Sequence, residues 1–83
     1  MAEALATIVF LGRLGELAGR ETLTVATPLD WDGLLAAVGE PVATALCGPG
    51  MHVALDGEVL RDPPSLELDK AGEIALLPPV SGG

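Results

Sequence analysis

The sequence predicts an α+β fold in which one main helix packs on a sheet of four to five strands. Three observations support this prediction. Strand-like and helix-like segments follow one another in the order ββαββ. Only Trp31 to Val38 has the apolar spacing of a main amphipathic helix, and one such helix can cover one face of one sheet. Hydrophobic residues make up 49% of the 83 residues, which is typical of a small folded domain.

The N-terminal third predicts two strands and a short connector. The nearly unbroken apolar run Ala4–Leu11 is typical of a strand that is covered on both faces. Residues 12–19 have the spacing of one or two helical turns. Residues 20–27 alternate, with Leu23 and Val25 on the face that we expect to meet the core. The turn between the two strands favours an antiparallel pair.

The main helix has clear start and stop signals. Asp30 is a suitable N-cap, and Gly39 with the following Pro41 ends the helix. Its apolar stripe, which we expect to lie on the sheet, consists of Trp31, Leu34, Leu35 and Val38. A second short helix is predicted from Pro41 to Cys47, with proline in its first turn.

The C-terminal half predicts a hairpin and a final strand. Met51–Leu55 and Glu58–Leu60 are joined by Asp56-Gly57, a dipeptide typical of a tight hairpin turn. A short extended stretch, Leu66–Leu68, follows a proline-rich break. Glu73–Leu77 has the composition of a last, largely apolar strand.

The net charge of the chain indicates which classes of partner it can bind. The formal net charge is −8, with only four Lys and Arg residues. Phosphate backbones and anionic membranes bind clustered cations, so we expect neither nucleic acid nor membrane as a partner. The natural complement of an acidic chain is a basic surface on a partner protein.

The cysteine and histidine content and the lengths of the apolar runs give no indication of a metal site or a membrane segment. Cys47 is the only cysteine, and no metal-ligand spacing of Cys and His is present. We expect Cys47 to be a small buried structural residue and His52 to be solvated. The chain begins without the charged region of a signal peptide and has no apolar run of about 20 residues. A cytoplasmic protein that binds no metal is the expectation.

The last residues are the most informative part of the sequence. We expect a domain over residues 1–77 and a flexible tail over residues 78–83, with the sequence Pro78, Pro79, Val80, Ser81, Gly82 and Gly83. The prolines lack N–H donors and so keep the tail from pairing with a sheet. The Gly-Gly tip has no side chains and fits a narrow channel, where an enzyme can activate the terminal carboxylate.

The tail, together with the segment Phe10–Gly19, resembles the MoaD family, the small subunits of molybdopterin synthase. The family commonly has an apolar pair, a spacer, Arg-Glu-Leu and Gly after its first strand, although Gly15 stands here where Arg is frequent. The resemblance implies the ubiquitin-like β-grasp fold. Its sheet is mixed, with the first and last strands adjacent and parallel at the centre.

The resemblance also implies a function for Gly83. An E1-like adenylating enzyme would use ATP to activate the Gly83 carboxylate, and a sulfur donor protein would convert it to a thiocarboxylate. The large synthase subunit would then use this sulfur to build the molybdopterin dithiolene from a cyclic pyranopterin precursor. A dithiolene contains two sulfurs, so two carriers are consumed and a heterotetramer of two copies of each subunit is expected. This chain would bind no cofactor itself and would act as a sulfur-donating subunit, with the catalytic residues on the large subunit.

The resemblance assigns partner contacts to apolar residues near the tail. Leu11, Leu14 and Leu77 are expected at the partner interface, with Val80 at the mouth of the channel. The alternative is that Leu11 and Leu77 are core residues. An exposed cluster of the three leucines would favour an interface, because a contiguous apolar surface patch usually marks one.

Three other functions remain open. The first is the sulfur carrier of thiamin thiazole synthesis, whose tail typically lacks the Pro-Pro-Val run. The second is a ubiquitin-like modifier that forms an isopeptide bond through Gly83. The third is a non-catalytic β-grasp interaction domain, for which removing Gly83 would change nothing.

Overall fold

The computed structural model describes residues 4–79 as a sheet with helices packed on one face. The strands are β1 Leu5–Phe10, β2 Thr22–Ala26, β3 Leu29–Asp30, β4 His52–Leu55, β5 Glu58–Val59, β6 Glu67–Leu68 and β7 Gly72–Leu77. The helices are α1 Arg13–Ala18, α2 Trp31–Val38 and α3 Glu40–Leu46, with a short 3₁₀ turn at Pro63–Ser65. None of the helices in this part of the chain is long and apolar enough to cross a bilayer.

The main sheet has five strands in the order β2-β1-β7-β4-β5. β1 and β7 are parallel, with Ile8 opposite Ile74, and every other neighbouring pair is antiparallel. The first and last strands therefore lie side by side, and β7 is the central strand. This confirms the predicted mixed sheet and the predicted antiparallel pairing of the first two strands.

β1 is buried on one face only, so the prediction that it is covered on both faces is wrong. Ala6, Ile8 and Phe10 are at most 5% exposed and face the helices. On the outer face Leu5 is exposed and Val9 is half-buried. The apolar run arises because this outer face is itself partly apolar, not because a second layer covers it.

The helices pack as the sequence predicts. Asp30 caps α2, since its Oδ1 accepts a hydrogen bond of 2.8 Å from the backbone N–H of Gly33. Leu34 and Val38 are buried in the core, with the other two residues of the stripe packed partly against it. The short helix α3 buries Val42 and Leu46, which are four residues apart and share one face.

Cys47 is exposed, so the prediction of a buried structural cysteine is wrong. The buried face of α3 ends at Leu46, and the next residue lies past that face. His52 is exposed, as expected.

A small second sheet was not foreseen from the sequence. β3 and β6 pair over two residues, with Leu29 opposite Leu68, and both leucines are at most 6% exposed. A strand of two residues is too short to show a hydrophobic period in the sequence. Such a pair forms only when the surrounding core brings the two segments together.

The β4–β5 hairpin is joined to the start of β7. Asp56 and Gly57 have φ values of 50° and 88°, the positive values that a tight primed turn requires. The Asp56 carboxylate accepts a hydrogen bond of 2.9 Å from the Glu73 N–H, and the Asp56 N–H donates one of 2.8 Å to the Glu73 carbonyl. These bonds fix the beginning of the strand whose other end leads into the tail.

Candidate functional site

The candidate site is the end of the sheet where β7 stops, which we call the tail-exit end. Leu11 donates its N–H to the Leu76 carbonyl at 3.3 Å, and His52 lies opposite Leu77. The C-terminal end of β1 and the first residue of β4 therefore flank the last residue of β7. The chain continues from the centre of the sheet into Pro78 and Pro79. The predicted tail residues Val80, Ser81, Gly82 and Gly83 lie outside the described residues.

Pro78 and Pro79 pack closely against two glycines, Gly12 and Gly50. We call these two glycines the glycine pair. A Cβ at Gly12 would stand 3.3 Å from Pro78 Cγ, and one at Gly50 only 2.9 Å from Pro79 Cβ. Their φ values are 57° and 80°, where L side chains are strained. Both the backbone conformation and the available space therefore call for glycine, and the pair sets where the chain leaves the sheet.

A groove of about 490 Å³ runs beside the two prolines. Its lining is mainly apolar, with one residue of each charge, and consists of Arg13, Leu14, Glu16, Leu17, Ala45, Gly48, Pro49, Met51, Pro78 and Pro79. The connector α1 and the loop after α3 form its walls. The groove is thus continuous with the base of the tail.

The three predicted interface leucines lie in different environments. Leu11 is 39% exposed and Leu77 is half-buried, so both remain available at the surface beside the tail. Leu14 is only 2% exposed and belongs to the core cluster, so its expected place on an exposed patch is wrong. The exposed leucine of α1 is Leu17, at 50%. A six-residue helix buries one side, and the sequence alone does not tell which of its leucines lies on that side.

An apolar row crosses the outer face of the sheet and reaches toward the tail-exit end. The register places four small or branched apolar residues side by side on four neighbouring strands, and they are Val9, Ala75, Ala54 and Val59. Val59 is 60% exposed, and the helices cover only the opposite face. We call this set the outer row. Val59 is its exposed member, Val9 and Ala75 are half-buried and Ala54 is 7% exposed, so the row offers a partner Val59 together with the half-buried residues beside it. Within residues 4–79, no group of three or more His, Cys, Asp or Glu side chains is placed to hold a metal ion.

Sequence reasoning missed the glycine pair, the groove and the outer row. The only signals were the Leu11-Gly12 step and the Gly48-Pro49-Gly50 loop, both of which mark turns. Their closeness to the tail follows from the order of the strands, which pattern alone does not determine.

Comparison with known proteins identifies similar chains. A family model described as the ThiS family matches residues 8–83. No curated protein sequence matches. Small archaeal modifier protein 1 (SAMP1) of Methanosarcina acetivorans has a TM-score of 0.74 and 22% identity, with 100% of both chains covered. SAMP1 of Haloferax volcanii has a TM-score of 0.71 and 26% identity, covering 95% of this chain and 99% of that one.

A third similar structure is a Pyrococcus furiosus protein described as molybdopterin converting factor, subunit 1. Its TM-score is 0.66 with 17% identity, covering 93% of this chain and 99% of that one. At such low identity the similarity shows the fold. The expected ubiquitin-like β-grasp fold is thereby confirmed.

Proposed function

The chain belongs to the ThiS family, with the fold of the ThiS/MoaD-like, ubiquitin-like sulfur carriers, and we propose that it carries sulfur as a thiocarboxylate on Gly83. The observation that carries the proposal is the family match, which extends through residue 83. The geometry supports it, because β7 ends at the centre of the sheet and the chain continues into Pro78 and Pro79, which lie against the glycine pair and lack the N–H donors needed to pair with a strand. A tail that leaves in this way can enter a partner's channel.

In the proposed reaction, the Gly83 carboxylate attacks the α-phosphate of ATP and releases pyrophosphate. The carbonyl carbon of the resulting acyl adenylate is electrophilic, because AMP is a good leaving group. The carbonyl carbon of the free carboxylate is a poor electrophile. A donor that supplies hydrosulfide then attacks the carbonyl, and the new carbon–sulfur bond forms as the carbon–oxygen bond to AMP breaks. The products are the thiocarboxylate and AMP. This chain contributes positioning, and a tail held in a channel removes much of the entropic cost of the transfer.

We propose molybdopterin synthesis as the use of this sulfur. The Pro-Pro-Val run before Ser-Gly-Gly favours this pathway over thiazole synthesis. The large synthase subunit would supply the catalytic residues and add sulfur from two carriers to a cyclic pyranopterin. A complex of two small and two large subunits suits that stoichiometry.

The outer row and the two surface leucines support the partner contact that this function requires. Leu11 and Leu77 lie at the base of the tail, and Leu77 shares the outer face of the sheet with the row. Burying this surface would hold the body of the carrier while the channel holds the tail. Apolar burial contributes about 25 cal/mol per Å², so even a modest patch adds useful affinity.

Protein modification is the second candidate. It is favoured by the full mutual coverage between this chain and a protein described as a small archaeal modifier. Both functions require adenylation of Gly83, and they differ in the acceptor. A modifier forms an amide with a lysine, whereas a sulfur carrier gives sulfur to a small molecule.

The test is to prepare the chain in its thiocarboxylate form by cleaving an intein fusion with sulfide. This form is incubated with the purified large subunit of the same host and with the cyclic pyranopterin precursor. Formation of the dithiolene product, with return of the chain to its carboxylate form, is expected. The carboxylate form of the same chain is the matched control. In a parallel reaction, the carboxylate form is incubated with ATP, the adenylating enzyme and host proteins. Lysine conjugates there, with no dithiolene in the first reaction, would instead support the modifier function.

A further inference from the structure

Most of the positively charged side chains lie at the tail-exit end. Phe10 donates its N–H to the Glu21 carbonyl at 2.9 Å, which places the preceding Arg20 beside Leu11. Leu60 donates its N–H to the Val53 carbonyl at 2.8 Å, which places the following Arg61 beside the start of β4. Arg13 begins α1 and lines the groove beside the tail. Three of the four Lys and Arg residues therefore lie at this end, and all three are exposed.

The opposite end of the sheet is acidic. The β4–β5 hairpin carries Asp56 and Glu58, the loop before β7 carries Asp69, and β7 carries Glu73 near its start. Lys70 is the only Lys or Arg at this end among residues 4–79. This end holds the hydrogen-bonded pair of Asp56 and Glu73 described above. Three of the four cationic side chains thus lie at one end of the sheet, and a group of acidic side chains lies at the other.

A count of formal charges shows the size of this separation. The three arginines of the tail-exit end are balanced by the acidic residues nearest to them in the chain, which are Glu16, Glu21 and Asp62. The side chains of this end are therefore neutral overall, and the whole side-chain excess of −8 lies elsewhere in the chain. The negative charge of the side chains is therefore concentrated away from the end that presents the tail.

Arg20 and Arg61 flank the tail symmetrically. β7 is central, Arg20 precedes the edge strand β2, and Arg61 follows the other edge strand β5. Neighbouring strands are about 4.8 Å apart, so each arginine is placed roughly 10 Å to one side of the exit point. An extended tail of six residues reaches about 20 Å beyond the sheet. The arginines therefore stand at the rim of any channel that takes the tail, far from the reacting carboxylate.

We propose that Arg20 and Arg61 bind an acidic rim around the tail channel of the adenylating enzyme. The proposal rests on the proposed adenylation of Gly83, but it does not depend on the pathway that later uses the sulfur. Guanidinium groups pair with carboxylates in a two-pronged geometry, which suits a rim of Asp and Glu. This uneven distribution of charge would favour orientations in which the tail faces that rim and the acidic end points away. The net charge alone led us to expect a basic partner surface. Such a surface would attract the acidic end of the sheet and turn the tail away from the partner.

Such steering affects the rate of association and is weakened by salt. The experiment measures association of the chain with the purified adenylating enzyme of the same host by stopped flow, at low and at high salt. We compare Arg20→Gln, Arg61→Gln and the double variant with Lys70→Gln, which removes the same charge from the opposite end. At low salt each single variant should associate about threefold more slowly and the double variant about tenfold. The difference should shrink at high salt, and Lys70→Gln should associate as fast as the wild type.

A double variant that associates as fast as the wild type, or faster, would overturn the proposal. So would the absence of any binding to this enzyme. Pyrophosphate release is recorded after ATP is added to the same pairs of proteins, and it tests the proposed function separately. A wild-type chain that binds but releases no pyrophosphate contradicts adenylation, while the charge variants still report on the rim. Because the arginines lie far from the reacting atoms, kcat for pyrophosphate release should stay unchanged.

Discussion

Replacing Gly50 with alanine should misdirect the tail without unfolding the domain. The substitution has two effects. At a φ of 80° any L side chain adds strain of roughly 1–2 kcal/mol. The new Cβ would also lie 2.9 Å from Pro79 Cβ, closer than the 3.4 Å at which ordinary contact begins. Pro79 belongs to the chain leading out of the sheet, so we expect it to move by the difference, about 0.5 Å.

The length of the tail magnifies that shift. Pro79 is two residues past the end of β7, roughly 7 Å, whereas Gly83 is six residues past it, roughly 20 Å in extended chain. In a tail that the partner's channel holds extended, a rotation about the end of β7 that moves Pro79 by about 0.5 Å moves the tip by about 1.5 Å. Misplacement by about 1 Å can cost as much as 100-fold in rate, so we predict that kcat/KM for adenylation falls at least about tenfold.

Gly57→Ala is the matched control for this experiment. Gly57 has a φ of 88°, and no atom lies within 4 Å of the position that an added Cβ would take, so alanine there adds strain alone. Both variants should lose similar stability, with a fall in Tm of about 4–8 °C per kcal/mol. Only Gly50→Ala should lose activity in the pyrophosphate assay. Pro79→Gly removes the side-chain atoms that the new Cβ would contact. The double variant Gly50→Ala/Pro79→Gly should therefore have nearly the same activity as Pro79→Gly alone. Equal kcat/KM for the two alanine variants, or no rescue, would refute the reasoning.

Three further predictions concern the core, the hairpin and the outer row. Leu14→Ala should destabilise the domain by about 2–5 kcal/mol in urea unfolding, whereas Leu17→Ala, at an exposed site, should change stability by less than about 0.5 kcal/mol; equal losses would contradict the burial of Leu14. Asp56→Ala removes the exposed acceptor for the Glu73 N–H and places alanine at a positive φ, and it should cost about 1–2 kcal/mol. Asp56→Asn keeps an acceptor and tolerates positive φ, and it should cost clearly less by the same measurement. Val59→Asp should leave the melting temperature nearly unchanged but weaken binding to the large subunit in titration calorimetry, and unchanged affinity would exclude this part of the outer row from the interface.

The sequence was sufficient for the elements whose signals are local. Asp30 as N-cap, the apolar stripe of α2 and the Asp56-Gly57 turn each depend on neighbouring residues, and the structure confirms all three. The parallel pairing of β1 with β7 joins the two ends of the chain. It came from the family resemblance, because periodicity does not specify which strands are neighbours.

The features that sequence reasoning missed depend on tertiary placement. Whether Leu14 or Leu17 faces the core is decided by how a short helix sits on the sheet. The role of Gly50 is visible only once the loop after α3 lies against Pro79. Likewise, the charge separation between the two ends of the sheet appears only when the strand order places Arg20 and Arg61 on either side of β7.

The measurement that tests the central claim most directly is the intact mass of the chain purified from its native host, with and without a thiol-alkylating reagent. The account predicts a mass gain equal to the exchange of one oxygen for sulfur, localised to Gly83 and absent when Gly83 is deleted. Because Cys47 is exposed and also reacts with such reagents, Cys47→Ser is measured alongside and should keep the gain. A C-terminus that stays unmodified after ATP, the adenylating enzyme and a sulfur donor are supplied would contradict the carrier function.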